Sequence, residues 1–414
     1  MLGDGTKLAT TPHNAAPEAR LLDLTRLVSR AGRPMTGIDR VEWAYFDHLS
    51  DAQTPVYALI RTTYGYVLLD RAGMQALRAR ICGDQPWGVI DTLSRLVRSK
   101  PDTVRRAESD LRRFALDRCR PRRLPDMLLR HLPSGTAYLN IGHTNLTDRV
   151  LSAVRHGING RVAVFVHDTI PLDFPQFQRE GSVDRFRAFL RQAGAWADLI
   201  IYNSAYSAQR AEHWLSAWGT PPQSVVAHLG VEVPDLVDLP IGIVPQTPYF
   251  VTVGTIEPRK NHALLLDIWD GFSEDAPHLM ICGSRGWNNQ DVFSRLDKRP
   301  QNHRVSEVAS LTDGQIATLL KGSKGLLFPS LAEGYGLPPI EAAALGVPVL
   351  CNTLPVYRET LGDIPVYAEA SDRYLWETKI RKLAEAPKPS KTDMERVFDP
   401  PDWKTHFNTV LSLT

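Results

Sequence analysis

Residues 328–350 read FPSLAEGYGLPPIEAAALGVPVL, and this stretch decides the fold. It begins with the end of an apolar run (GLLFPS, 325–330), crosses a glycine-bearing loop, enters a short alanine-rich helical pattern (IEAAAL, 340–345) and leaves through a second apolar run (VPVLCN, 347–352). Strand, loop, helix, strand is the unit of a parallel sheet. Gly334 and Gly336 carry no Cβ, so the loop backbone can approach a ligand closely. Pro338 and Pro339 suit a first helical turn, where a missing N–H costs nothing. The loop thus aims free N–H groups and the positive end of a helix at one spot, which is an anion site, with a diphosphate as the natural occupant. Glu333 and Glu341 flank it with seven residues between them. Carboxylates accept hydrogen bonds from hydroxyls, as on a ribose or a hexose. Phosphate-binding backbone between two hydroxyl acceptors describes a nucleotide-sugar pocket.

Outward from this unit the same alternation continues. Before it, YFVTVG (249–254), HLMICGS (278–284) and RVSEVAS (304–310) read as strands, and HALLLDIWDGF (262–272), 289–297 and 313–322 as helices. After it, VYRETLGDIP marks a turn ahead of PVYAE. Residues 233–248 (VPDLVDLPIGIVPQTP) hold four prolines and no helical period, and read as a linker. Upstream lies a second series. Strands are expected at RLLDLT (20–25), TAYLNIG (136–142), VAVFVHD (162–168), LIIYNS (199–204) and SVVAHLG (224–230), with a hairpin at 55–62 and 64–70. Helices are expected at IDRVEWAYFDHL (38–49), 71–132, 146–157, 182–195 and 207–218. The expected architecture is α/β, with two doubly wound domains facing each other across a cleft. The divisions are a disordered lead-in at 1–19, domains at 20–240 and 241–400, and a final amphipathic helix in 401–414 that packs on either domain.

Composition agrees with a globular chain. Of 414 residues, 43% are hydrophobic and 23% charged, which excludes global disorder. No stretch has the length of uncharged apolar residues needed for a membrane span, and the N-terminus has no apolar signal region. Cys82, Cys119, Cys282 and Cys351 are scattered without metal-ligand spacing and fit free thiols. A cytoplasmic protein is expected. The net charge of +2 hides a basic stretch, since residues 95–130 hold 12 basic and 5 acidic side chains. A solvated helical face is the plain reading, and an anionic membrane surface or a phosphorylated substrate is the functional one.

Three further segments carry chemistry. In VTVGTIEPRKNHALLL (251–266) a strand ends at Gly254 and Thr255, and Arg259 and Lys260 stand before a helix, placed to neutralise a pyrophosphate. In VFVHDTIPLDFPQF (164–177) His167 and Asp168 end a strand on the cleft side of the first domain. In RPMTGIDRVEWAYFDHL (33–49) Gly37 permits close approach and Arg40 is a candidate acceptor or phosphate contact, with a surface arginine as the plain alternative.

Together these segments resemble the family-4 retaining glycosyltransferases of the GT-B fold, whose hallmark is EGFGLPxxEAxAxGxPV; Tyr335 replaces the common Phe. The resemblance implies that Glu333 contacts the donor sugar, Glu341 holds the ribose hydroxyls, and the backbone from Gly334 to Leu337 lies against sugar and diphosphate. Arg259 and Lys260 fall in a turn like the family's GxxEPRKN, and Thr255 stands where many members have arginine. His167 would position the donor, while Asp168 orients the imidazole or caps the loop. Gly283 and Ser310 fall where the family surrounds the nucleotide base. The likeness covers about 250–370 strongly and 160–230 fairly, fades over 20–50, and is absent from 61–135.

The implied reaction is hexose transfer with retention from a nucleoside diphosphate sugar. GDP-mannose is the first expectation and a UDP-sugar the second, in the style of bacterial exopolysaccharide and O-antigen mannosyltransferases. The donor is a substrate, and no cofactor is expected. The chain contains no Asp-x-Asp triplet, so metal independence is expected. The acceptor side implies a saccharide or a polyprenyl-diphosphate-linked saccharide, with the enzyme peripheral on an anionic inner membrane through 95–130. Alternatives are a sugar phosphorylase, for which no convincing pyridoxal-phosphate lysine is visible, and a degenerate nucleotide-sugar or membrane binder that regulates without turnover. A nucleic-acid partner is not expected, because the basic stretch lacks interleaved aromatics.

Overall fold

The computed structural model describes residues 17–273, 276–299, 304–387 and 398–414. The lead-in expected over 1–19 falls, apart from 17–19, outside the described residues.

Two sheets organise the described chain. The first has β1 (Arg20–Asp23), β2 (Val56–Thr62), β3 (Gly65–Leu69), β4 (Asp117–Cys119), β5 (Ala137–Asn140), β6 (Arg161–Val166), β7 (Leu199–Tyr202) and β8 (Gln223–Val226), in the order β4-β3-β2-β1-β5-β6-β7-β8. The strands from β2 through β1 to β8 are parallel, while β3 and β4 run antiparallel at one edge. The second has β9 (Tyr249–Val253), β10 (His278–Cys282), β11 (Val305–Val308), β12 (Leu326–Phe328), β13 (Val349–Cys351) and β14 (Val366–Tyr367), in the order β11-β10-β9-β12-β13-β14, and is parallel throughout. The central strands β1, β5 and β7 are buried along their whole length. Helices cover both faces of such sheets, so these strands read as unbroken apolar runs rather than alternating ones.

The helix Gly37–Ser50 shows how local sequence sets an element. Thr36 and Asp39 form a capping box, with the Thr36 N–H donating to Asp39 Oδ2 at 2.7 Å. Val41, Tyr45, Phe46 and Leu49 then fall on one buried face. That face receives the end of the chain. In the helix Trp403–Leu411, His406 Nε2 lies 2.7 Å from Tyr45 Oη and the Phe407 ring stacks on His48 at 3.9 Å. Arg20 Nη2 donates to the Leu411 and Thr414 carbonyls. The last segment therefore packs on the first domain, beyond the second.

The stretch 71–132 departs from the all-helical expectation. It contains helices Arg71–Ile81, Thr92–Arg95, Asp102–Phe114 and Leu124–His131, and also the strand β4. Asp-Arg-Cys has no strand period of its own; backbone pairing with β3 makes it a strand. Many basic side chains here are paired internally. Arg112 meets Asp91 at 2.6 Å, Arg113 meets Asp110 at 2.5 Å, Lys100 meets Glu108 at 2.7 Å and Arg130 meets Asp117 at 2.5 Å. No helix among the described residues is long and apolar enough to cross a membrane.

Candidate active site

The carboxyl ends of the two sheets face each other, and the loops there meet. The loop after β12 carries Glu333, which is buried. The turn after β9 carries Arg259 and Lys260, and the Leu331 N–H donates to the Arg259 carbonyl at 2.7 Å, tying the two loops together. Glu333 Oε1 lies 2.8 Å from Arg259 Nη1 and 2.5 Å from Lys260 Nζ. Arg259 is further fixed by Glu257 Oε1 at 2.7 Å from its Nε and by the Ala332 carbonyl, and Lys260 Nζ sits 4.4 Å from the centroid of the Phe328 ring. Burial alone would raise the Glu333 carboxyl, yet the two cations outweigh it and hold it down at about 2. Burial lowers the Lys260 ammonium against the pull of Glu333. The result is a preformed cluster in which Glu333 bridges two cations and Glu257 pairs with one of them, able to shift its positive charge to an arriving anion.

The opposite wall comes from the first domain. His167 ends β6, 5% exposed, with its ring stacked on Phe165 at 4.4 Å. Its Nε2 is 2.9 Å from the Ile141 carbonyl. A carbonyl only accepts, so Nε2 carries the proton and Nδ1 keeps a lone pair. Burial pushes the imidazole down to about 3, so it is neutral at physiological pH. Asp168 does not reach this imidazole. Its Oδ1 accepts the Ile170 N–H at 3.0 Å and so caps the loop, and burial pushes its carboxyl up to about 6.

The two walls touch at Gly334. A Cβ there would lie 2.6 Å from the His167 carbonyl and 2.7 Å from the Asp168 Cβ, so only glycine lets the domains come this close. Ser204 and Ser207 add hydroxyl bonds to the Gly334 carbonyl at 3.1 and 3.0 Å. The glycine read from sequence as a ligand approach is, as folded here, an approach between domains. Gly336, with φ of 90°, turns the chain into the helix Leu337–Ala344. The Tyr335 ring is buried in the interface and its hydroxyl donates to the Leu229 carbonyl at 3.0 Å, so this side chain faces the neighbouring domain. Gly37 lies against the Leu337 side chain, and Arg40 Nη1 is 2.6 Å from Glu341 Oε1. Gly254 and Thr255, Gly283, and Ser310 follow β9, β10 and β11 along one edge of the second sheet, where the Gly254 N–H bonds to the Cys282 carbonyl and the Gly283 N–H to the Val308 carbonyl. Among the described residues no cluster of three or more His, Cys, Asp or Glu is placed to hold a metal ion.

Sequence reasoning missed three contributors. Glu257 lies inside the quoted turn, and its acidic neighbourhood to Arg259 was a usable signal. Glu359 accepts the N–H groups of Ala205 and Tyr206 at 2.6 and 3.0 Å and pairs with His228 at 2.9 Å across the domains. His143, at φ of 57°, accepts the His167 N–H at 3.3 Å. Nothing local marked either of these.

Residues 240–394 match the family model described as glycosyl transferases group 1. They form a glycosyl transferases group 1 domain. That domain holds Glu333, Glu341, Arg259 and Lys260 together, and the preceding sheet supplies the facing wall. The chain is 33% identical to the serotype-specific mannosyltransferase WbdA of Escherichia coli over 219 residues, 48% of this chain and 27% of WbdA. It is 27% identical to the O-antigen chain mannosyltransferase RfbU of Salmonella typhimurium over 144 residues, 34% of this chain and 39% of that one. The chain thus spans about a quarter of the length of WbdA. Among solved structures, Anabaena HepE in complex with UDP-glucose superposes with a TM-score of 0.58 at 14% identity, covering 95% of this chain and 94% of that one. The fold is GT-B, with the glycosyl transferases group 1 domain as its second half.

Proposed function

We propose that the chain is a retaining glycosyltransferase that moves a hexose, mannose in the first instance, from a nucleoside diphosphate sugar to a saccharide acceptor. The observation that carries this reading is the meeting of Glu333, Arg259 and Lys260 with His167 across one cleft. In the reaction the bond from the anomeric carbon to the β-phosphate oxygen breaks. The acceptor oxygen bonds that carbon on the same face, and the acceptor proton leaves with the diphosphate. Positive charge grows on the sugar ring and negative charge on the leaving group. Arg259, Lys260 and the loop amides before the helix Leu337–Ala344 stabilise the leaving group. Glu333, released from its cations, and the Nδ1 lone pair of His167 accept hydroxyls of the sugar, and Glu341 accepts those of the ribose.

The names of the O-antigen mannosyltransferase relatives favour GDP-mannose, and the UDP-glucose held by the HepE neighbour keeps a UDP-sugar as second donor. Metal-independent turnover belongs to the same proposal, supported by the missing Asp-x-Asp triplet. Docking on an anionic membrane face is supported by Arg118, Arg120 and Arg122, which are exposed on and beside β4, and by the exposed Leu116 and Leu129 of the same stretch of sequence. Flotation with anionic and neutral vesicles checks it, and equal flotation would remove it.

The deciding experiment incubates wild type and Glu333→Ala with GDP-, UDP-, ADP- and dTDP-sugars in EDTA and follows release of the nucleoside diphosphate. Turnover of one donor by wild type, lost in the variant, is the expected result. No turnover and no nucleotide binding would overturn the reading in favour of a protein that regulates without catalysis.

A further inference from the structure

The connections of the first sheet part at β1: β2 lies on one side of it and β5 on the other, both parallel to it. In open α/β sheets, the crevice outside the carboxyl ends of such a strand pair is where ligands bind. Here that crevice is an open pocket of ≈ 460 Å³. Thr25 comes from beyond β1, Arg61 from the end of β2, and Asn145, Thr147 and Arg149 from the segment after β5.

Several arginines of the domain are committed to carboxylates: Arg26 and Arg30 to Asp39, Arg80 to Asp110, Arg112 to Asp91, and Arg210 to Asp173. The arginines of the pocket are not, and unlike the exposed Arg118, Arg120 and Arg122 they line a concave site. In the pocket, Arg61 makes a bond from Nη1 to the neighbouring Thr62 carbonyl at 2.9 Å and lies 5.0 Å from the centroid of the Tyr66 ring. The Arg149 guanidinium makes no hydrogen bond or ion pair among the described residues. The acidic side chain in the wall, Asp148, accepts from Gln192 Nε2 at 2.9 Å. Asp23 behind the wall is saturated by Tyr138, Asn145 and the Thr25 N–H. The unpaired Arg149 guanidinium and the Arg61 guanidinium, which no carboxylate neutralises, stand beside threonine hydroxyls and form a site for a phosphate or carboxylate on a hydroxyl-rich molecule.

One loop joins this pocket to the candidate active site. Ile141 O and His143 Nε2 hold His167, and Asn145, four residues beyond Ile141, lines the pocket. Four residues of chain span at most about 14 Å.

We propose that this pocket is the acceptor subsite, and that the acceptor is an anionic saccharide whose phosphate or carboxylate is held by Arg61 and Arg149. A hydroxyl of the adjoining sugar then extends along the 141–145 loop toward His167. The inference rests on the glycosyl-transfer reading above but is tested without turnover.

Mannose 6-phosphate, glucuronate and methyl α-mannoside are titrated calorimetrically into wild type, Arg61→Gln/Arg149→Gln, Arg149→Gln and Arg149→Lys, with GDP and UDP present to fill the nucleotide side. Wild type is expected to bind one or both charged probes and not the neutral one at the same concentration. The double variant should lose at least tenfold in affinity, Arg149→Gln several-fold, and Arg149→Lys should recover part of it. Preference for mannose 6-phosphate identifies a phosphate, and preference for glucuronate a carboxylate. Equal binding of charged and neutral probes, no binding of any probe, or unchanged affinity in the variants would overturn the proposal. If the double variant fails to fold, the exposed Arg149 substitutions carry the test alone. Failure of GDP and UDP to bind would strike the transferase reading and leave the probe titration standing.

Discussion

Arg40 and Glu341 form an ion pair across the cleft, with Nη1 2.6 Å from Oε1. Arg40 stands in the first turn of the helix Gly37–Ser50, and Glu341 in the helix Leu337–Ala344 of the facing domain. Burial raises the Glu341 carboxyl, with Arg40 pulling the other way. This is the carboxylate that the proposed function assigns to ribose, so guanidinium and hydroxyls compete for it. Arg40→Ala should therefore bind the nucleoside diphosphate about three- to tenfold more tightly, a gain of roughly 1 kcal/mol. Glu341→Ala should weaken the same binding. Calorimetry on the three proteins decides, and equal or weaker binding by Arg40→Ala would remove the competition.

Glu333 is the single anion shared by Arg259 and Lys260. Glu333→Gln keeps the shape and removes the charge, leaving the buried Lys260 and the partly exposed Arg259 with only Glu257 nearby. Breaking a buried ion cluster by deleting one partner costs about 3–5 kcal/mol. The urea midpoint should fall accordingly. Because an arriving diphosphate supplies the missing charge, nucleoside diphosphate should restore more stability to Glu333→Gln than to wild type. Equal ligand stabilisation of both proteins would show that the cations do not meet the diphosphate.

Gly334 sets how closely the domains approach. A methyl group there meets backbone at 2.6 Å, which a flexible side chain cannot relieve. Gly334→Ala should cost about 1–3 kcal/mol through overpacking and part the domains, read as a larger radius of gyration in solution scattering. Donor turnover should fall with it. An unchanged radius with full activity would mean that the loop yields instead.

Much of this site was legible because its residues are close in sequence and chemically specific. Glu333 and Glu341 are separated by one loop and one helical turn, and Arg259 and Lys260 are adjacent in a turn that could only follow a strand. Strand and helix alternation gave the sheets for the same reason, since each element announces its own burial. What stayed hidden depends on distance along the chain. Nothing near Arg40 points to Glu341, and nothing near Glu359 points to the N–H groups of Ala205 and Tyr206. The strand β4 is made by its partner β3 rather than by its own three residues. The basic stretch read as a charged face because its carboxylate partners, such as Asp91 for Arg112, lie outside it or were diluted within it.

Acid should unfold the protein earlier than its ion pairs alone would predict. Burial depresses His167 and His262 to about 3 and His406 to about 4. In the unfolded chain these imidazoles take protons below their ordinary value near 6.5, while the folded chain refuses them. The unfolded state thus binds more protons, and stability falls as pH drops from 6.5 toward 3. Each buried imidazole contributes about 2 kcal/mol of loss between pH 6.5 and 5. Asp168, raised to about 6 by burial, works the other way, since its folded carboxyl takes a proton first and gains stability as pH falls below 6. Glu333, held at about 2, loses its contribution only as pH falls from its ordinary value toward 2. Burial raises Asp23, Glu42, Glu257 and Glu341 in the same sense as Asp168 and lowers His143 with the other histidines. Between pH 7 and 5 the imidazoles are expected to outweigh the carboxyls, which urea titrations at pH 7, 6 and 5 should show as a declining midpoint. His262 separates this cause from acid loss of surface ion pairs, because both its ring nitrogens are buried without a hydrogen-bond partner. His262→Phe should leave stability at pH 7 little changed and flatten the slope below pH 6 by about 1.4 kcal/mol per pH unit. An unaltered slope in that variant would shift the cause of acid unfolding to the carboxylates.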